Sequence, residues 1–185
     1  MTTVGADDAR ALGDLGRIRS RLEIGELPSR YAMAIDARDL DTLVGLFVED
    51  VAGGHRGDGR PALRGWYDEV LRRFGRSIHL ICGHVVDFVD DDHATGHVYC
   101  RAEHEDGDGW YVMAMRYDDV YERRDGAWFF VRRKEHPWYA VDVLDRPSAP
   151  FVRWPGHEGM QATLPDRFPT WGPFWDRPIS DEEQR

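Results

Sequence analysis

Residues 110–140 read WYVMAMRYDDVYERR, then DG, then AWFFVRRKEHPWYA. Two long runs rich in aromatic and β-branched residues meet at Asp125-Gly126, and Asp-Gly between such runs is the strongest short signal for a β-hairpin. The same punctuation extends upstream. Ile78 to Val89 stops at Asp90-Asp91-Asp92, and Ala94 to Glu105 stops at Asp106-Gly107-Asp108-Gly109. The pattern predicts a meander of four antiparallel strands.

Before Gly75 the period is helical. Leu12, Leu15, Ile18, Leu22, Ile24, Leu27, Tyr31 and Ile35 fall close to a 3.6-residue repeat, with a break or kink expected at Gly25 and Pro28. A second short helix is expected from Asp39, capped by Asp39 or Asp41, with Leu40, Leu43, Leu46 and Phe47 as its buried stripe. Trp66, Val70, Leu71 and Phe74 mark a third over Arg64 to Phe74. Helices followed by a sheet make an α+β fold. The expected architecture is a cone-shaped barrel, in which a strongly bent, mainly antiparallel sheet wraps around the N-terminal helices and encloses one apolar pocket. That domain is expected over residues 1–144. Residues 145–185 hold seven of the ten prolines together with Trp154, Trp171, Phe174 and Trp175, which predicts an irregular arm packing on the body or on a neighbouring subunit.

The 185 residues, 42% hydrophobic, suffice for one core. With 34 acidic against 24 basic residues the formal charge is −10, which disfavours nucleic acid and anionic membrane partners. The N-terminus lacks the basic head and apolar stretch of a secretory signal, and no window approaches the roughly 18 apolar residues of a spanning helix. Cys82 and Cys100 sit in strand-like runs without metal-ligand spacing, so a reduced, cytoplasmic protein is expected. GxGxxG, GxxxxGK[ST], HExxH, GxSxG and CxxC patterns are absent from the sequence. Any chemistry must use scattered side chains.

Strand parity supplies the candidates. Ala94, Gly96, Val98, Cys100 and Ala102 form a small apolar face, and His104 continues it. His79 shares a face with Ile81, Gly83 and Val85. Asp36 closes the first helical run, and an Asp beside an imidazole fixes its tautomer and stabilises the imidazolium, as a histidine base requires. His84, His93, His97 and His136 are expected to be solvated or structural. Arg123-Arg124 and Arg132-Arg133-Lys134 are expected on solvated strand faces or in surface pairs. Asp36, His79 and His104 lack the close-spaced pair typical of zinc sites, so neither a metal nor another cofactor is expected.

Three motifs in order, residues 30–41 (RYAMAIDARDLD), 77–80 (SIHL) and 121–128 (YERRDGAW), resemble the SnoaL-like, scytalone dehydratase-like branch of the nuclear transport factor 2-like superfamily. The resemblance spans about residues 12–142 and implies the cone fold with one deep apolar pocket. It further implies that Asp36 and His79 form the acid-base dyad of the eliminating members, that His104 is a second active-site histidine, and that Tyr31 is a catalytic tyrosine. Ile35, Met115 and Tyr117 stand where scytalone dehydratase carries tyrosine, serine and asparagine, and His55 aligns near its second tyrosine. Tyr117 and His55 are then the candidate polar contacts, with Phe47, Trp66, Met113 and Met115 as apolar lining. The implied function is a cofactor-independent lyase of the dehydratase type acting on a hydrophobic cyclic metabolite such as a polyketide, terpenoid or steroid-like ring. An isomerase or cyclase would use the same dyad, and a non-catalytic ligand-binding or dioxygenase small-subunit-like protein would need none. The resemblance also implies a homo-oligomer, dimer or trimer.

Overall fold

A computed structural model describes residues 6–53, 57–157 and 159–176. Its elements are α1 (Ala6–Asp36), α2 (Leu40–Gly45), α3 (Arg60–Leu71), β1 (Ser77–Phe88), β2 (His93–Asp106), β3 (Gly109–Arg124), β4 (Ala127–Asp142) and α4 (Trp171–Asp176). The strands form one antiparallel sheet in the order β1-β2-β3-β4. Asp125 and Gly126 both take positive φ, 51° and 81°, as a two-residue primed turn between right-twisted strands requires.

Helix α1 contacts both edge strands, β1 and β4, so the sheet curves around it without closing on itself. β-Bulges at Cys82 on β1 and at Val131 and Trp138 on β4 allow that bend. Of the break or kink expected in α1, the break does not occur. The helix runs through Pro28, whose ring is fully buried beside Ile24, Leu27 and Tyr31; this packing offsets the roughly 3 kcal/mol that an interior proline costs. Only the C-terminal half of the expected stripe is covered, since Leu15, Ile18 and Leu22 are exposed. At its end Arg38 turns left-handed (φ 59°), and Asp39 caps α2 by accepting the Thr42 N–H at 3.0 Å. Helix α3 starts at Arg60, four residues before the expected point, because Gly59 (φ 89°) caps it and Pro61 suits its first turn.

Two clusters form the interior. One joins the helices to the β3–β4 turn end through Ile24, Leu43, Phe47, Tyr121, Trp128 and Phe130. The other, formed by Val98, Cys100, Ala102, Met113, Met115 and Tyr117, lies along the middle of the sheet. Arg133 corrects the expectation of a solvated basic run. Its side chain is 3% exposed and bonds Asp119, itself fully buried, through two N–H groups at 2.9 and 3.0 Å. The guanidinium lies 4.2 Å from the Tyr117 ring centre, 4.4 Å from that of Tyr31 and 4.6 Å from that of Phe130. The bulge at Val131 is the reason: it shifts the inward face of β4 from Trp128 and Phe130 to Arg133 and Glu135.

After β4 the chain folds back over the sheet. Val152 accepts the Ala140 N–H at 3.0 Å, and Pro137 accepts the Thr163 and Leu164 N–H groups at 3.0 and 3.1 Å. Leu164 is buried and Phe168 packs on Trp138, whereas Trp171, Phe174 and Trp175 are 37–63% exposed.

Candidate active site

A cavity of about 320 Å³ opens between α1, α3, the sheet and the segment after β4. At its base Asp36, the last residue of α1, faces β1. A carboxylate at a helix C-terminus meets the unfavourable end of the helix dipole. Donors compensate: Asp36 Oδ2 accepts the His79 backbone N–H at 2.8 Å, and Oδ1 accepts the Ser77 hydroxyl at 3.0 Å. The His79 ring completes the set, with Nδ1 2.7 Å from Oδ1. Burial pushes the Asp36 carboxyl up, but the hydrogen bonds from the His79 ring and backbone and from the Ser77 hydroxyl, with the attraction of the His79 ring whenever it is protonated, hold it below the ordinary aspartate value. With an ionised carboxylate on Nδ1, that nitrogen carries the proton and Nε2 keeps the lone pair. Arg38 stabilises the arrangement from outside, donating to the Ser77 hydroxyl at 2.7 Å, to the Ile35 carbonyl at 2.8 Å and to the Gly75 carbonyl at 2.8 Å.

His104 stands edge-on to His79, ring centres 5.3 Å apart, and packs between Phe74 and Trp154. Burial, reinforced by the neighbouring His79, lowers its pKa to about 4. It is therefore a neutral imidazole at pH 7, and its Nδ1 is sealed from solvent without a hydrogen-bond partner. Tyr31 accepts the Tyr67 hydroxyl at 3.2 Å, and burial, against the pull of Arg133, keeps its phenol protonated.

Of the residues singled out in the sequence, the cavity brings together Tyr31, Trp66, His79, His104, Met113, Met115 and Tyr117, with Asp36 directly behind His79. Phe47 is a correction. It stacks on Phe130, 5.2 Å away, within the helix-side cluster, because Val48 and Phe130 join the two segments by backbone bonds; it lines no part of this cavity. His55 lies outside the described residues. Val85 is 58% exposed, contrary to the expected face shared with His79, because the bulge at Cys82 turns His84 and Val86 inward instead. His84 then bonds Tyr121 at 3.0 Å.

The sequence reading missed Glu135 on β4 and a wall formed by Arg153, Trp154, His157 and Met160. Among the described residues no group of three His, Cys, Asp or Glu side chains is arranged to hold a metal ion, and no helix is long and apolar enough to cross a membrane. The arrangement can bind an apolar ring, remove a proton at His79 Nε2 and offer neutral hydrogen-bond donors nearby.

Comparison with known proteins agrees with this fold. An uncharacterised protein of Mycobacterium tuberculosis is 33% identical over 134 residues, covering 68% of this chain and 90% of that protein. The gamma-hexachlorocyclohexane dehydrochlorinase of Sphingobium indicum is 29% identical over 146 residues, 75% of this chain and 94% of the enzyme. The crystal structure of a protein from Novosphingobium aromaticivorans, provisionally named a scytalone dehydratase, superposes with a TM-score of 0.62 at 23% identity, over 71% of this chain and 92% of its own, which shows the shared fold. The model of the SnoaL-like domain matches residues 16–134, and with its helices, curved sheet and pocket in place, the chain belongs to the SnoaL-like family.

Proposed function

We propose that this protein is a cofactor-independent lyase of the dehydratase type, acting on a hydrophobic cyclic substrate through the Asp36-His79 pair. The 2.7 Å contact between Asp36 Oδ1 and His79 Nδ1, at the base of an apolar cavity, carries this reading. His79 Nε2 takes a proton from the carbon next to the one bearing the leaving group. The C–H electron pair forms the new double bond, and the leaving group departs with its own bonding pair. Asp36 stabilises the imidazolium so formed. The Tyr31 phenol gives the departing oxygen its proton, and His104, being neutral, acts as a hydrogen-bond partner to it.

The dehydrochlorinase relative supports elimination, which needs the same base. Isomerisation would differ only in returning the proton to another carbon. The test is turnover of γ-hexachlorocyclohexane, read as chloride release, beside dehydration of cyclic β-hydroxyketones, comparing the protein with Asp36→Asn and His79→Ala. The expected result is activity on at least one class that falls by at least about a hundredfold in both variants. Equal rates in all three proteins would remove the dyad as the reacting centre.

A further inference from the structure

Glu135 is the one carboxylate among the described residues that line the cavity, which otherwise presents aromatic and aliphatic side chains, three histidines and the two arginines Arg73 and Arg153. It sits on β4 opposite Tyr117, on the inward face created by the bulge at Val131. Its Oε1 is closed off from solvent and accepts no hydrogen bond. Arg153 Nε is 3.2 Å away, close enough for an ion pair but misaligned for a hydrogen bond, and half of the Arg153 side chain remains exposed. An acceptor closed off from solvent gains on the order of 1–3 kcal/mol from a well-aligned donor, and a hydroxyl brought into the cavity by a ligand can supply one.

We propose that Glu135 is a specificity-determining residue that accepts a hydrogen bond from a hydroxyl group on the ring substrate, so that the protein selects cyclic alcohols over the matching ketones and acids. The inference rests on the preceding functional reading for the use of this cavity by a substrate. A hydroxyl fits better than the alternatives. The cations Arg73 and Arg153 line the same cavity and oppose a cationic amine, while Glu135 itself repels a carboxylate. Burial pushes the Glu135 carboxyl above the ordinary glutamate value and Arg153 pulls it back; a slightly alkaline solution keeps it an acceptor.

Equilibrium binding tests this without turnover. Titration calorimetry at pH 8 compares trans-2-decalol, trans-2-decalone and trans-decalin-2-carboxylate on the full chain. The alcohol is expected to bind at least about tenfold more tightly than either analogue, since a site built to bond an OH rejects the analogue lacking it. In Glu135→Leu that advantage is expected to fall below about threefold with decalone binding retained. The isosteric Glu135→Gln, whose amide donates as well as accepts, is expected to bind alcohol and ketone alike, and it serves if the leucine variant does not fold. The inference is overturned if the wild-type protein binds the ketone within threefold of the alcohol, prefers the carboxylate, or binds none of the three, or if the folded variants keep the alcohol preference. Each of these outcomes leaves the elimination chemistry of Asp36 and His79 to its own kinetic test.

Discussion

Asp36 bonds His79 twice: one carboxylate oxygen accepts the backbone N–H at 2.8 Å while the other faces the ring nitrogen Nδ1 at 2.7 Å. The strand and its side chain are thus positioned by the same anion, so the ring cannot rotate away without losing a bond. In the proposed reaction this pairing would hold the base in place before substrate arrives, which is where enzymes gain most from fixed dipoles.

Asp36→Asn tests that coupling. The amide preserves size but cannot stabilise an imidazolium, and its NH2 selects the wrong tautomer. Turnover is expected to fall by about two to four orders of magnitude with the melting temperature little changed. His79→Ala is expected to cost at least as much, and the double variant little more than His79→Ala alone, because the two act as a unit. Additive losses in a steady-state kinetic cycle would show that they act separately.

His104 supplies a pH prediction. Its folded pKa, about 4, lies below the ordinary 6.5, so between those values the unfolded chain takes up a proton that the folded protein refuses. Stability therefore falls as pH drops from about 6.5 towards 4, with a contribution from this group of at most about 1.4 kcal/mol per pH unit. His84 and His136, also depressed chiefly by burial, add to the same slope. His104→Phe keeps the stacking between Phe74 and Trp154 and is expected to flatten part of the slope, as measured by denaturant unfolding at several pH values. An NMR titration in which the His104 ring protonates near pH 6.5 would contradict the sealed environment described for it.

The four strands were legible because their ends are written in Asp-Gly and Asp-rich turns; the expected and observed strand ends differ by at most two residues. Asp36, His79 and Tyr31 were reached through the motif around them, since the pairing of residues 43 apart leaves no local pattern. Glu135 and Arg133 were hidden by the bulge at Val131, which reverses strand parity while leaving an uninterrupted strand-like composition. Phe47 was misplaced for a related reason: helical periodicity shows that a side chain is buried but not which of two clusters receives it.

Arg133 and Asp119 predict a stability effect distant from the base. Arg133→Met removes the cation beneath the Tyr31 and Tyr117 rings and leaves Asp119 buried with, among the described residues, only the Tyr121 hydroxyl, 2.9 Å away, as its side-chain donor. Breaking one side of a buried pair costs about 3–5 kcal/mol, so urea unfolding is expected to shift by that amount. Adding Asp119→Asn is expected to restore part of it by removing the stranded charge. A double variant no more stable than Arg133→Met would show that the charge on Asp119 is not the source of the loss.

Truncation after Asp145 tests the segment that follows the sheet. It removes Trp154, which packs against Phe74, His104 and Tyr111, and with it Arg153, His157 and Met160 from the cavity wall. Leu164 and Phe168 are lost from the outer layer in the same cut. Burial of each large apolar side chain contributes roughly 1.5–3 kcal/mol, so the shortened chain is expected to melt several degrees lower and to be less soluble. Asp36 and His79 lie on α1 and β1 and are expected to keep their hydrogen bonds, so the proposed base survives while its cavity opens to water. Binding of apolar ring compounds is expected to weaken at least tenfold, since those wall contacts hold the ligand. A milder version, Trp154→Ala, separates the two effects: ligand affinity is expected to drop with a smaller loss of stability. Unchanged melting temperature and unchanged ring binding in the truncated protein would show that the segment contributes to neither the fold nor the cavity.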